Sequence, residues 1–465
     1  MNRNNLHNVT AIGIKLGIIY SMMFVYFPIK AQQQQLPNYV IVLMDDMGYQ
    51  DLACFGGNVP TPHIDQLAAE GIKFTNFYAG ANVCSPSRAS LLTGLYPNHN
   101  GITRVLFPHD IVSLSHQYQT IPQCLAIKGY TSALVGKWHL GDTPEYLPLQ
   151  YGFSFYYGLP YSNDMLPNGK TTPDLPVYRN EKVVDKNPDQ AQLTTNYTQQ
   201  SIEFIREQQG KPFFLYLAHS MPHVPLAVSD KFKDKSGKGL YGDVMMELDW
   251  SVGQIVKTLK EQNEYEHTVI IVTSDNGPWL IWGNWAGNSA SLREGKFTSF
   301  DGGQRVPFLI KGLGHQPDID VPANMVDIYP TLAELAGIKP TAKHDGKSLL
   351  PLIRAKNKKS FNNRVIPFYT QGLLQAIRKG DWKYHGKHDY QTVDHVGNNG
   401  MVGKYKRANI TESLFNLVEN PGEDTPKDTV NTPFIEMKTL FDQWLNAPDQ
   451  LPPSPSRPKA PVKEK

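Results

Sequence analysis

Short apolar runs alternate with amphipathic stretches along most of the chain, and the apolar runs tend to stop at polar residues. NYVIVLM, residues 38–44, is a β-branched run that ends at Asp45 and Asp46, which predicts a buried strand followed by a loop. TPHIDQLAAEG, from Thr61, carries a Thr cap, an early Pro and a Gly stop, and predicts a helix. IKFTNFYA alternates and predicts a strand. SPSRASLLTG predicts a short helix, with Pro86 near its start and Gly94 at its end. The same alternation continues. TIPQCLAIKG, NYTQQSIEFIREQQG, GDVMMELDWSVGQIVKTLKEQNEY and NMVDIYPTLAELAG read as helices. YTSALVGKWH, PFFLYLAHS, HTVIIVTSDNG and RVPFLIKG read as strands.

Strands alternating with helices imply an α/β fold, a large and mostly parallel sheet with helices on both faces. Two regions break the pattern. Residues 143–193 are rich in Pro, Tyr and Asn without a clear period, and are expected to form substrate-facing loops. Beyond residue 350, VIPFYTQ, LLQAIRKGDWKYHG and ESLFNLVENPGED predict a small antiparallel sheet, closed by a helix over TPFIEMKTLFDQWLN. The expected organisation is a catalytic domain over 36–350, a C-terminal α+β subdomain over 351–447, and a disordered, Pro-rich and charged tail over 448–465.

The N-terminus changes the picture of where the protein works. An apolar run, AIGIKLGIIYSMMFVYF, follows Arg3 and precedes the small residue Ala31 and a polar stretch. This is the pattern of a cleaved signal peptide over 1–31, implying a periplasmic or secreted protein without stable membrane association. The run is short for a membrane span and Lys15 interrupts it. A net charge of +2 over 465 residues argues against nucleic acid as a partner. The three cysteines, Cys54, Cys84 and Cys124, leave at least one thiol unpaired. Cys54 and Cys124 are expected to be buried thiols. No C-x-x-C spacing supports a cysteine-rich metal site.

Candidate chemistry collects at the strand ends, where parallel α/β sheets bind ligands. One strand ends in Asp45 and Asp46, another in Asp275 and Asn276, a third in Lys137 and His139, a fourth in His219 and His223. Three carboxylates at one sheet edge repel, and a hard divalent cation with all-oxygen ligands relieves that repulsion better than zinc does. Arg88, Lys137 and Lys296 could surround an anion, and Cys84 stands just before a helix start, where free N–H groups also favour anions. The histidines supply acid and base near neutral pH. Taken by themselves these residues point to a metal-assisted hydrolase of a phosphate or sulfate ester.

CSPSRASLLTG, residues 84–94, resembles the signature of the formylglycine-dependent (type I, arylsulfatase-like) sulfatases of the alkaline phosphatase superfamily. DDMGYQDLACFGG, TPHIDQLAAEG, GYTSALVGKWHLG, SDNG, GKFTSFDGGQRVP and DWKYH resemble further blocks of that family in the same order, so that the resemblance spans about residues 38–435. It implies an alkaline phosphatase-like fold and a Cys84 oxidised to formylglycine (3-oxoalanine) by a separate maturation enzyme. It implies that one hydroxyl of the hydrated aldehyde attacks sulfur, with His223 protonating the leaving alcohol. His139 then takes the proton of the second hydroxyl, expelling sulfate. It assigns Asp45, Asp46, Asp275, Asn276 and residue 84 to one Ca²⁺, Arg88 to the hydrated aldehyde, and Lys137 and Lys296 to sulfate oxygens. His219 is expected to shape the site or touch substrate, and Arg305 to be structural.

Trp279, Trp282 and Trp285, shortly before Lys296, offer aromatic faces for sugar rings. With the export pattern and the Tyr-rich insert, they favour a sulfated carbohydrate such as ulvan or carrageenan fragments, in the manner of bacterial polysaccharide-degrading sulfatases. Two other functions stay open at this point. One is a phosphonate or phosphate monoester hydrolase of the same fold. The other is a non-catalytic protein that binds sulfated glycans.

Overall fold

A computed structural model describes residues 35–169, 172–354, 358–427, 429–430 and 432–456. The expected signal peptide lies outside the described residues. From Leu36 onward the chain forms one compact unit built on a nine-stranded sheet. Its strands are β1 (Asn38–Met44), β2 (Ile72–Phe74), β3 (Thr131–Gly136), β4 (Phe155–Gly158), β5 (Pro176–Arg179), β6 (Lys182–Lys186), β7 (Phe213–Ala218), β8 (Thr268–Ser274) and β9 (Phe308–Lys311). The spatial order is β2-β9-β8-β1-β7-β3-β4-β5-β6. The middle of the sheet, β8 through β4, is parallel, while the strands beyond it on both sides pair antiparallel.

All seven residues of β1, all six of β7 and all seven of β8 are buried, as near-continuous apolar runs in a doubly covered sheet should be. Alternate residues serve two cores. Tyr39, Ile41 and Leu43 pack on one face, and Val40, Val42 and Met44 on the other. The second face is covered by the helices Leu193–Gln208 and Gly239–Glu261 through Tyr197, Phe204, Val244 and Leu248.

Register is what positions the site. Met44 lies opposite Ser274, Leu43 opposite Ala218, and Ala218 opposite Gly136. Main-chain bonds run past these pairs: Asp275 N–H donates to Met44 O (3.1 Å), His219 N–H to Leu43 O (2.9 Å) and Lys137 N–H to Ala218 O (2.8 Å). The three polar residues after three buried strands are thus locked side by side at one edge. Gly136 permits the close approach here, since a β-carbon on it would stand 1.8 Å from Ala218 O and its φ is +115°.

The antiparallel C-terminal sheet runs Val365–Thr370, Leu373–Lys379, Trp382–His385, Ser413–Asn416, and the helix Thr432–Leu445 covers it with Phe434, Met437 and Phe441. A separate hairpin, His388–His395 with Lys404–Ile410, stands beside it. The buried Lys383 ties this sheet to the rest by donating to Asp301 Oδ1 at 2.8 Å and pairing with Glu423 at 3.0 Å.

Several expectations need correction. Residues 143–193 are not only loops, because β4, β5 and β6 extend the sheet there. These strands are only four or five residues long, too short to show a period, and a long connection separates β4 from β5. IKFTNFYA is two short strands, broken at Thr75 and Asn76, rather than one. Cys54 is only half buried, in a turn over Ala53–Phe55, and all three cysteines are free. The tail expected to be disordered is held by hydrogen bonds as far as residue 455. Residues 457–465 lie outside the described set. No helix among the described residues is long and apolar enough to cross a membrane.

Candidate active site

Asp45 and Asp46 follow β1, and the chain turns sharply there, with Asp46 at φ 63°. His139, after β3, has the same left-handed backbone (φ 63°). Such conformations are costly for side chains other than Gly and mark positions that the surrounding structure holds in place. The helix Cys84–Thr93 brings Cys84 to the same edge, with Val83 extended before it and Gly94 closing it in the left-handed region. All ten helix residues are buried, so this helix is a core element that carries Cys84 at its first position.

The carboxylates and cations interlock. Lys137 Nζ donates to Asp45 Oδ2 (2.5 Å) and to Ser162 Oγ (3.0 Å). Arg88 Nε and Nη2 both donate to Asp275 Oδ2 (3.0 and 2.8 Å), and its Nη1 donates to Lys137 O (3.0 Å). Lys296 Nζ donates to Asp46 Oδ2 (2.7 Å) and Asn276 Nδ2 to Asp46 Oδ1 (2.7 Å). Asp275 Oδ1 accepts the Asp46 N–H (3.1 Å). Three carboxylates therefore face three cations, all nearly or fully buried.

Their electrostatics are uneven. Burial would raise Asp45, but Lys137, His223, Arg88 and Lys296 hold it well below the usual carboxylate range. Burial, then the charge of Asp45, push Asp275 up to about 7 even with Arg88 against it. The two Arg88 bonds favour the ionised form of Asp275 and offset part of that push, which burial leads and the neighbouring carboxylate adds to. Burial opposes charge on Lys137 and Lys296, yet Asp45 and Asp46 respectively raise both.

The donor set suits a hard divalent cation. Asn276 Oδ1 is buried with no hydrogen-bond partner, and Asp45 Oδ1 faces the Cys84 thiol at 3.5 Å. Ligand atoms of Asp45, Asp46, Cys84 and His223 all lie within 4.8 Å of one another. Carboxylate and amide oxygens match calcium or magnesium, and an added positive charge would relieve the crowding at Asp275.

Cys84 is 1% exposed, and burial pushes its thiol far up, so sulfur stands there as a neutral S–H and a weak nucleophile. His139 Nε2 faces Leu106 O at 2.8 Å. A carbonyl only accepts, so Nε2 carries the proton and Nδ1, buried without a partner, is the free acceptor. Burial, then Lys137 and Arg88, hold His139 well below its usual range and keep it neutral. His223 Nδ1 donates to Val224 O (2.6 Å), and its Nε2 lies 3.5 Å from Asp46 Oδ2.

Above this floor opens a cavity of about 470 Å³, within the range of small-ligand sites. Cys84, His139, His223 and Lys296 line it. Asp45, Asp46, Arg88, Lys137, Asp275 and Asn276 lie beneath its surface. Trp279 is in the wall, 5.6 Å from the His223 ring, with Lys296 Nζ 4.8 Å from its centroid.

The matched region of the sulfatase family model covers residues 37–338. The chain belongs to the sulfatase family. It is a sulfuric ester hydrolase by that membership, and its mixed sheet with a smaller C-terminal antiparallel sheet is the family's alkaline phosphatase-type fold. The chain is 36% identical over 439 residues to N-acetylgalactosamine-6-sulfatase of Homo sapiens, covering 86% of this sulfatase and 83% of that protein. Among solved structures it is similar to the sulfatase PsFucS1 from Pseudoalteromonas sp. (27% identity, TM-score 0.79, covering 91% and 93% of the two chains). It is also similar to Ps i-CgsB, solved in complex with k-i-k-neocarrahexaose (28% identity, TM-score 0.77, covering 91% and 96%).

Not every residue singled out in the sequence reaches the cavity of this sulfatase. His219 does not. It continues the face of Phe213, Leu215 and Leu217, so its ring points toward the covering helices and meets Ser251 Oγ at 3.3 Å. Of the three tryptophans Trp279 lines the cavity, whereas Trp282 packs edge-on behind it at 5.8 Å and Trp285 packs against Gly400. Arg305 lies outside, donating to Thr75 O and facing Asp301. Sequence reasoning missed Ser162, which holds Lys137, and the wall residues Thr103, Asp164 and Gln371. They sit on loops without a motif or period, so no local signal marks them.

Proposed function

We propose that this sulfatase removes sulfate esters from sulfated oligosaccharides, such as ulvan or carrageenan fragments, using Cys84 converted to formylglycine. The reading rests on one observation above all: Cys84 stands at the cavity floor beside His139, His223 and Lys296, directly above the carboxylate cluster. A neutral buried thiol makes a poor nucleophile there. The hydrated aldehyde presents hydroxyls in its place, and a maturation enzyme would supply it before the protein folds around position 84.

Asp45, Asp46, Asp275, Asn276 and residue 84 would hold Ca²⁺. When bound, the ion supplies positive charge that favours an anionic ester at the floor. Lys296 and Lys137 add to that charge and stabilise oxygens that become more negative in the transition state. His139, with a free Nδ1 on a neutral ring, accepts a proton. His223, whose Nδ1–H is already given to Val224 O, gives a proton to the departing alcohol from Nε2 when both ring nitrogens carry one, and is left as the neutral Nδ1–H ring. Arg88 positions Asp275 through two hydrogen bonds and offsets its charge.

The carbohydrate part of the proposal is supported by Trp279 in the wall and by the relatives, which include an N-acetylgalactosamine-6-sulfatase and a sulfatase-like structure solved with a neocarrahexaose. The leader pattern, read as a signal peptide, would export the enzyme to where such fragments are met.

The test is the mass of the peptide Phe74–Arg88 from protein made with a maturation enzyme, followed by turnover of sulfated oligosaccharides, aryl sulfate and aryl phosphate. An aldehyde at position 84, faster sulfate than phosphate release and desulfation of an oligosaccharide are expected. The Cys84→Ala variant should lose at least about 10³-fold in turnover. Turnover confined to small aryl sulfates would overturn the carbohydrate reading. An unmodified thiol with no turnover would favour a glycan-binding protein, and faster phosphate release a phosphomonoester hydrolase.

A further inference from the structure

The segment after the closing helix is mostly Pro, Ser and charge, yet it does not leave the molecule where the helix ends. Asp449 pairs with Lys343 at 2.9 Å, and Gln450 bonds with Tyr369 through both ends of its amide. Leu451 N–H then donates to Asn98 O (2.7 Å). Ser454 is gripped from three sides. Its N–H donates to Thr103 Oγ1 (2.7 Å), its hydroxyl donates to Gly101 O (2.6 Å), and the Thr103 N–H donates to that hydroxyl (3.0 Å). Pro455 O accepts from Arg104 Nε (2.7 Å), and the Arg104 fork is paired with Asp110. The Pro residues suit this course, because an extended strap of preset φ gives up little entropy on docking and needs few N–H partners. Only the non-proline residues Leu451 and Ser454 spend their N–H groups on the body.

This strap reaches the active site. Ser454 and Ser456 line the same cavity as Cys84 and Trp279, next to Thr103 and Arg104. Ser456 is exposed in that wall. We infer that residues 451–456 form a specificity-determining wall of the substrate cavity, contacting the sugar beyond the sulfated carbon through hydroxyl and main-chain groups. The inference rests on the carbohydrate reading above. It assigns no chemistry to the strap, which touches none of Asp45, Lys137, His139 or Lys296 in the hydrogen bonds described. A sugar rich in hydroxyls matches a wall of serine side chains beside Thr103 and Arg104, whereas a flat aryl group gains little from it.

Matured full-length protein is compared with a variant ending after Gln450, which keeps the Lys343 and Tyr369 contacts, and with Ser454→Ala. The readout is kcat/KM on a sulfated oligosaccharide divided by that on an aryl sulfate. The truncation is expected to lower this ratio at least tenfold, mainly through the KM of the oligosaccharide, and Ser454→Ala to lower it about threefold. An unchanged ratio overturns the inference. An equal loss on both substrates also overturns it, since the strap would then merely prop the Thr103–Arg104 loop. Wild-type protein that cleaves the aryl sulfate but no oligosaccharide would instead remove the carbohydrate reading, and the inference with it. The two failures are therefore told apart by the wild-type measurement alone.

Discussion

The floor and the walls of the cavity are built by opposite means. The floor comes from the neighbouring ends of β8, β1 and, across β7, β3, with the first residue of one buried helix, and its carboxylate–cation pairs close at 2.5–3.0 Å. The walls come from loops and from the C-terminal part of the chain: Thr103 and Phe107, Asp164, Gln371, Ser454. A floor locked by sheet register can hold reacting groups to fractions of an ångström, which ester hydrolysis requires. Walls made of loops can change without disturbing the sheet. On the proposed reading, sulfate chemistry is a property of the sheet edge, and the choice of substrate a property of the walls above it.

Variants in the two regions should fail differently. The largest effect is expected from Asp275→Ala, which leaves Arg88 buried without its carboxylate. Stability should fall by about 3–5 kcal/mol, with bound calcium and turnover falling together. Urea titration alongside metal analysis checks this, and an unchanged calcium content would take Asp275 out of the ligand set. Next comes Lys296→Ala, also at the floor, expected to lower kcat about 10²–10³-fold with a smaller change in KM. A loss confined to KM would move Lys296 from the chemistry to substrate binding.

The wall is predicted to behave otherwise. Trp279→Ala should raise KM for an oligosaccharide about threefold to tenfold and leave kcat nearer to wild type. Trp285→Ala, behind the wall, should alter stability without moving KM. Equal KM effects from the two would erase the distinction between the lining tryptophan and the packing one.

The smallest effect on turnover concerns His219, which belongs to neither region and acts on stability at acid pH instead. Burial holds its pKa at about 3, below the ordinary 6.5. Between those values the unfolded chain takes up a proton that the folded one refuses. This contribution to stability is full above about 6.5 and shrinks as pH falls toward 3, by about 1.4 kcal/mol per pH unit. Replacing His219 by Gln should flatten the stability–pH curve by that slope over this window while leaving KM in place. A changed KM would return His219 to the substrate site.

Much of the floor was legible in the chain alone. Buried strands announce themselves as β-branched runs, and the polar residue that stops each run must lie at a sheet edge. Asp45, Asp275, Lys137 and His139 could therefore be gathered before any distance was known, and the C-x-P-S-R motif at Cys84 supplied the family. The strap was not legible. Low hydrophobicity and many prolines predict disorder when a segment is judged by its own composition. Its partners, Asn98, Thr103 and Arg104, lie some 350 positions earlier and carry no signal of the pairing.

The sequence by itself determined the α/β class, the long strands of the central sheet, the helix that presents Cys84 and the chemical character of the strand-end residues. These follow from local periodicity and from residue type. Tertiary structure alone decided that His219 faces Ser251 instead of the cavity, that one tryptophan of three lines the wall, that Ser162 holds Lys137, and that Ser454 and Ser456 join the cavity wall. Those outcomes depend on which face a strand turns to its neighbours and on contacts between residues far apart in the chain. No local pattern encodes either, because both are set by the packing of the whole.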